Sequence, residues 1–171
     1  PFMEGLVSKV DYGPSVFEFN GRKYPIGCNM TYFKADLIEV GMFDPDLGRK
    51  GTNTDGGEEK DIFYKIKNLD RSIYYLPQAT VQHVIEQHRL NYDYIQKISL
   101  GIGKSERIRT RKKGFFFEVF NFILLLLKFI AAALIGIYYA FQFQFAKTKA
   151  LMVFRIDVFK GYFSLKRSEL K

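Results

Sequence analysis

The chain has one cysteine, Cys28, and only two histidines in 171 residues. A single thiol excludes an internal disulfide framework and any cysteine-based zinc cluster, and it suits a reducing compartment. Acidic residues are outnumbered: 18 Asp and Glu stand against 26 Lys and Arg, a formal net charge of +8. Such an excess points to an anionic partner, and nucleic acid, anionic lipid and a diphosphate-bearing substrate all qualify. The chain opens on Pro1 without an initiator methionine or a signal peptide, which leads us to expect a fragment or a processed chain. Polar residues are unevenly spread, which argues against one ordinary globule. We divide the chain into a polar part (1–113), an apolar segment (114–146) and a basic tail (147–171).

The first clear local signal lies between Ser15 and Ile26, where alternating apolar residues flank Asn20-Gly21, a strong short-range turn pair. This predicts a β-hairpin. Gly27-Cys28-Asn29-Met30 follows, and apolar residues at Phe33, Leu37, Ile38 and Val40 predict a short helix ending at Gly41. No histidine lies near enough in sequence to activate Cys28, so a small buried residue is the default reading over a nucleophile. Asp44-Pro45-Asp46 has the letters of a metal-binding Asp-x-Asp. It sits in a proline turn, not at the end of an apolar strand, and is read as a turn. The polar loop running on to Gly57 either connects elements or closes over a ligand.

Gly56-Gly57-Glu58-Glu59 then opens a helix over 58–68 whose apolar side carries Ile62, Phe63 and Ile66. Glycines let a backbone approach a ligand closely, and carboxylates in a first helical turn are favoured by its free N–H groups. Glu58 and Glu59 are therefore either helix caps or the acidic edge of a catalytic site. Two β-rich runs, 72–76 and 79–85, flank Pro77. His83, inside the second, is a packed strand histidine by default and a ligand at a strand end otherwise. A further helix starts near Asn91 and runs toward Gly101-Ile102-Gly103. No strand precedes that Gly-x-Gly, so it is not a nucleotide fingerprint.

Lys104, Arg107, Arg109, Arg111, Lys112 and Lys113 crowd just before the apolar segment. As a helix, 115–145 would reach about 46 Å, against a hydrocarbon core of about 30 Å, so membrane contact is expected. Glu118, Asn121, Lys128 and Gln142 fall on one side of that helix with Ala132, Gly136 and Tyr139. A spanning helix would hide this stripe against a partner, and a helix lying in the interface would point it at water. Basic residues on both flanks favour an in-plane or re-entrant arrangement with both ends cytoplasmic. Nucleic-acid binding is not expected, because the basic cluster adjoins an apolar segment and no reader module is present.

Taken in order, Gly27-Cys28-Asn29-Met30, Val40-Gly41-Met42-Phe43-Asp44, Leu47-Gly48-Arg49-Lys50-Gly51, Gly56-Gly57-Glu58-Glu59, Tyr75-Leu76-Pro77 through His83, Arg89-Leu90 and Gly103-Lys104-Ser105 form a series. This series resembles the C-terminal half of the catalytic domain of family 2 glycosyltransferases. The resemblance covers 26–109 and implies an α/β chain: a partial GT-A fold lacking its nucleotide-binding half, followed by a long membrane-associated helix. It implies inverting sugar transfer from a nucleotide-sugar donor to a sugar or lipid-linked acceptor, with Glu59 as general base and Glu58 orienting the helix mouth or an acceptor hydroxyl. Glu59 stands where the wider family most often has Asp, a departure we read as a variant. Gly27 and Asn29 are then expected to line the acceptor side. Arg89, Lys104 and Arg107 are expected to screen the leaving diphosphate, with a lipid-headgroup role open for the last two. His83 is expected to touch a divalent metal, Mg or Mn, held mainly by the missing half.

The family's trailing membrane segment further implies attachment to the plasma or inner membrane with the catalytic part cytoplasmic, in bacterial surface-polysaccharide or glycolipid synthesis. The rival expectation is a non-catalytic basic membrane-surface module. Nothing upstream of Gly27 is long enough for the family's donor-binding strands, so the isolated chain is expected to be inactive and poorly folded.

Overall fold

A computed structural model describes residues 4–20, 23–49, 51 and 55–165. The expected Gly21 turn, Lys50 and 52–54 of the polar loop, and the terminal basic residues Lys166, Arg167 and Lys171 lie outside the described residues. Strand β1 (Phe17–Glu18) pairs antiparallel with β2 (Tyr74–Tyr75), with Phe17 opposite Tyr75. This corrects the expected hairpin, whose second strand was to follow directly after Asn20-Gly21. Distant aromatic contacts win over the local turn signal: Tyr75 meets Tyr12 at 5.4 Å and Phe17 at 5.1 Å between ring centroids, and such pairs add to the area that they bury.

Helix α1 (Lys34–Glu39) ends ahead of Gly41, whose φ of +79° reverses the chain as expected. Asp44-Pro45-Asp46 is a turn: the Asp46 N–H donates to Asp44 Oδ1 at 2.9 Å and the Leu47 N–H to the Asp44 carbonyl at 3.1 Å. Helix α2 (Glu58–Lys67) buries Ile62, Phe63 and Ile66 almost completely, with Phe63 edge-on to Phe19. The β-rich run at 79–85 forms no strand, a second correction. Residues 79–84 are exposed, and no described strand pairs with them. β-Propensity without a neighbour to pack against does not make a strand.

Helix α3 (Tyr92–Arg111) is N-capped by Asn91, whose Oδ1 accepts from the Tyr94 N–H at 2.8 Å. It runs straight through Gly101-Ile102-Gly103, where its end was expected. The reason is α5. Helix α4 (Phe115–Phe141) and helix α5 (Phe145–Phe163) form an antiparallel hairpin. Thr148 Oγ1 donates to the Gly136 carbonyl at one end, and the Tyr162 hydroxyl donates to the Glu118 carbonyl at the other. Helix α5 then packs along α3, so residues 145–163 are a core helix where only a basic tail was expected. A Cβ on Gly103 would lie 2.0 Å from the Val158 carbonyl oxygen, and one on Gly161 would lie 2.0 Å from the Leu100 carbonyl oxygen. Glycine costs a helix interior about 1 kcal/mol. Here it lets two backbones touch, and close contact along their length offsets that cost.

The core of this helical unit is Leu125, Val158 and Tyr162 with Ile102, Phe122, Phe154 and Phe159 around it. On α4 the buried positions are Asn121, Leu125, Ala132 and Gly136, so much of the polar and small-residue stripe faces α5. Lys128 and Gln142 stay exposed. The rest of α4 presents large apolar side chains outward, including Phe116, Ile130 and Leu134.

Candidate active site

The mouth of α2 is built by glycine. Gly57 takes a left-handed conformation (φ +96°) that turns the chain into the helix. The Gly56 N–H donates to Ser105 Oγ at 3.0 Å, and Ser105 in turn donates to the Gly101 carbonyl. The first turn of α2 is thereby fastened to α3. Lys60 of α2 reaches the half-buried Glu106 carboxylate of α3 and fastens that turn a second time, with Arg109 of α3 on the same carboxylate.

Glu58 and Glu59 leave this mouth toward different loops. The Glu58 carboxylate sits over Gly48, where an added Cβ would come within 3.1 Å of Glu58 Cδ. Its Oε2 is buried and has no hydrogen-bond partner among the described residues. The Glu59 carboxylate sits over Gly27, where an added Cβ would lie 1.9 Å from Oε1. Burial pushes the Glu59 carboxyl above its ordinary value; the Gly27 N–H pulls it down, the Glu58 charge pushes it up, and the Arg49 charge pulls it down. The Tyr32 hydroxyl is buried without a described partner, and desolvation together with the Glu59 charge pushes it up to about 12. The group is thus a carboxylate in a partly dry site, with a second carboxylate, a phenol and an arginine around it.

The expected site residues divide accordingly. Glu58, Glu59 and Gly27 come together. Arg89 is linked to them indirectly, because it lies 5.9 Å from the centre of the Tyr94 ring while Arg49 donates to the Tyr94 hydroxyl at 3.2 Å. Lys104 pairs with Asp55 at 3.2 Å, just ahead of the mouth. Arg107 turns the other way, bonding Glu118 of α4 at 2.9 Å and lying 5.0 Å from the centre of the Tyr162 ring. Its place is the joint between α3 and the apolar hairpin.

Asn29 and His83 line a separate cleft of about 620 Å³, walled also by Tyr12 and Tyr75, to which neither Glu58 nor Glu59 contributes. Asn29 Nδ2 donates to the Ala79 carbonyl at 2.6 Å, which holds the wall of that cleft. His83 is exposed, not packed in a strand, and Cys28 is exposed, not buried. Both corrections have one cause, since the loops that carry them have no covering strand among the described residues. No three His, Cys, Asp or Glu side chains gather into a metal-binding group among the described residues. The expected ion was to be held mainly by the missing half, and His83, exposed on its loop, would be one contact to it. Tyr32, Arg49 and Gly48 were not singled out from the sequence. Gly48 and Arg49 lay within one of the quoted motifs, whereas nothing marked Tyr32.

With this geometry in place, comparison with known proteins gives one relationship. The chain is similar to a glycosyltransferase. Over 83 residues it is 28% identical to the glucosyl-dolichyl phosphate glucuronosyltransferase of Haloferax volcanii, a match that covers 48% of this chain and 26% of that protein. The chain thus spans about a quarter of the relative's length. No family model matches it, and no solved structure matches it.

Proposed function

We propose that this chain is the acceptor-side part of a membrane-attached inverting glycosyltransferase, with a partial GT-A fold of the family 2 type. The observation that carries the reading is the Glu58–Glu59 pair at the mouth of α2, with Glu59 partly buried and its carboxyl pushed up. A general base works best with a pKa raised toward the working pH, and a cap would gain nothing from desolvation. Glu59 takes the proton from an acceptor hydroxyl while that oxygen forms its bond to the anomeric carbon, and the bond from that carbon to the nucleoside diphosphate breaks. The free oxygen of Glu58 accepts a hydrogen bond from a neighbouring hydroxyl of the acceptor.

The basic cluster at the end of α3 supports this reading over a surface module. Of its six cations, Lys104, Arg107, Arg109 and Lys112 each have a carboxylate partner within the chain, so most of the cluster is engaged internally. The membrane is met by the outward apolar face of α4 instead. Helix α4 is long and apolar enough to cross a bilayer, and only 22% of its most apolar window is buried. A core helix of a soluble protein would be mostly covered. A lipid-linked acceptor suits such an enzyme, and the relative's name specifies one, a glucosyl-dolichyl phosphate.

The test is transfer by the full-length protein in membranes, from a panel of nucleotide sugars that includes UDP-glucuronic acid, to glucosyl-dolichyl phosphate. Wild type is expected to transfer, and Glu59→Gln to fall by about 10²–10⁴-fold with donor binding unchanged. Turnover retained by Glu59→Gln overturns the assignment.

A further inference from the structure

Gly27 is crowded in a way that the backbone does not explain. Its φ is not in the left-handed region, so any residue fits its main chain, and the 3₁₀ turn that holds it (Gly27–Asn29) needs no glycine. What excludes a side chain is Glu59: a Cβ on Gly27 would lie 1.9 Å from Oε1, 2.6 Å from Cδ and 3.0 Å from Cγ of that residue. Gly5, Gly13, Gly41, Gly51 and Gly114 stand in open space by the same measure. The whole carboxylate end of Glu59 therefore fills the volume that a methyl group would take, and the Gly27 N–H donates to it.

We propose that Gly27 is the seat of the base, a positioning residue whose empty side-chain position and N–H fix the Glu59 carboxylate where it meets the acceptor hydroxyl. The inference rests on the reading of Glu59 as the base and reassigns Gly27 from a lining of the acceptor site to a support beneath the reacting group. A carboxylate held by a main-chain N–H on one side and by its own helix on the other has few rotamers left. Such a group is aimed before substrate arrives, and misplacement by about 1 Å is enough to cost on the order of 100-fold in rate.

The test is a double-mutant cycle in the full-length protein, read as kcat and donor KM in the transfer assay. Gly27→Ala is expected to lower kcat on the order of 100-fold while leaving donor KM unchanged, because the methyl group expels the carboxylate. Glu59→Asp alone draws the carboxylate back from its seat and also lowers kcat. The double variant Gly27→Ala/Glu59→Asp is expected to recover at least about tenfold over Gly27→Ala alone, since the shorter side chain clears the methyl group. Multiplying effects in the double variant, or unchanged kcat in Gly27→Ala, overturns the proposal. If Gly27→Ala does not accumulate folded, the yield of folded protein in the same variants reads the same contact. Return of folding in the double variant supports the seat, and its absence overturns it. Full turnover in Glu59→Gln would instead remove the base, while coupling between positions 27 and 59 in folded yield would leave the seat standing.

Discussion

Glycine brings two groups into contact in both halves of this molecule, and what it admits differs. In the loop-rich half, Gly27 and Gly48 admit the flexible ends of Glu59 and Glu58; in the helical unit, Gly103 and Gly161 admit the backbone of a neighbouring helix. A side chain can swing away from an added methyl group, but a helix backbone cannot. The same substitution therefore damages chemistry in one region and folding in the other. The first half holds a pair of carboxylates in place with few regular elements, and the second provides the rigid frame, tied to it through Ser105 and Glu106.

The sharpest way to break this contrast is Gly161→Ala. Its methyl group would lie 2.0 Å from the Leu100 carbonyl oxygen and 2.8 Å from the Leu100 Cα, so α3 and α5 must part. Overpacking of this kind typically costs about 1–3 kcal/mol, and a loss at or beyond the top of that range is expected as a fall in melting temperature. A melt equal to wild type would show that the two helices do not pack as described.

Glu106→Gln is expected to have a smaller effect, about 1–2 kcal/mol, by weakening the Lys60 bond that joins α2 to α3 and the Arg109 bond within α3. Burial opposes ionisation of Glu106, but Lys60 and Arg109 outweigh it and hold the carboxyl below its ordinary 4.5. Its folded pKa lies below its unfolded one, so its stabilisation is full above the unfolded value and is lost as pH falls through the folded value. The gap between wild type and Glu106→Gln should therefore close in acid, and a gap independent of pH would count against an ionic joint.

Much of the local structure was legible because it rests on neighbours in sequence. The apolar spacing of Ile62, Phe63 and Ile66 placed α2, Gly41 marked the end of α1, and the polar stripe of α4 marked a side of that helix to be covered by a partner or turned to water. What failed needed knowledge of distant residues. Asn20-Gly21 spoke for a local hairpin, while the aromatic side chains sent β1 to Tyr74–Tyr75. Gly101 and Gly103 read as the end of a helix because the helix that crosses them, α5, gave no apolar periodicity clear enough to be recognised. In the candidate site, Glu58 and Glu59 stood out by type and position. Tyr32 did not, because a lone tyrosine in a loop acquires meaning only once its hydroxyl is buried beside a carboxylate.

The most direct measurement is the melting temperature of full-length wild type and Glu59→Gln at neutral pH and in acid, which needs no known substrate. Burial raises the Glu59 carboxyl in the folded state, making that state the tighter proton binder. Its penalty is absent below the unfolded pKa and complete above the raised folded one. Glu59→Gln is expected to melt higher than wild type at neutral pH, with the difference vanishing in acid, because a neutral amide removes a charge that the site disfavours. A lower melting temperature at neutral pH would mean that the charge of Glu59 serves the helix as a cap, and would contradict its role as a base held ready for chemistry.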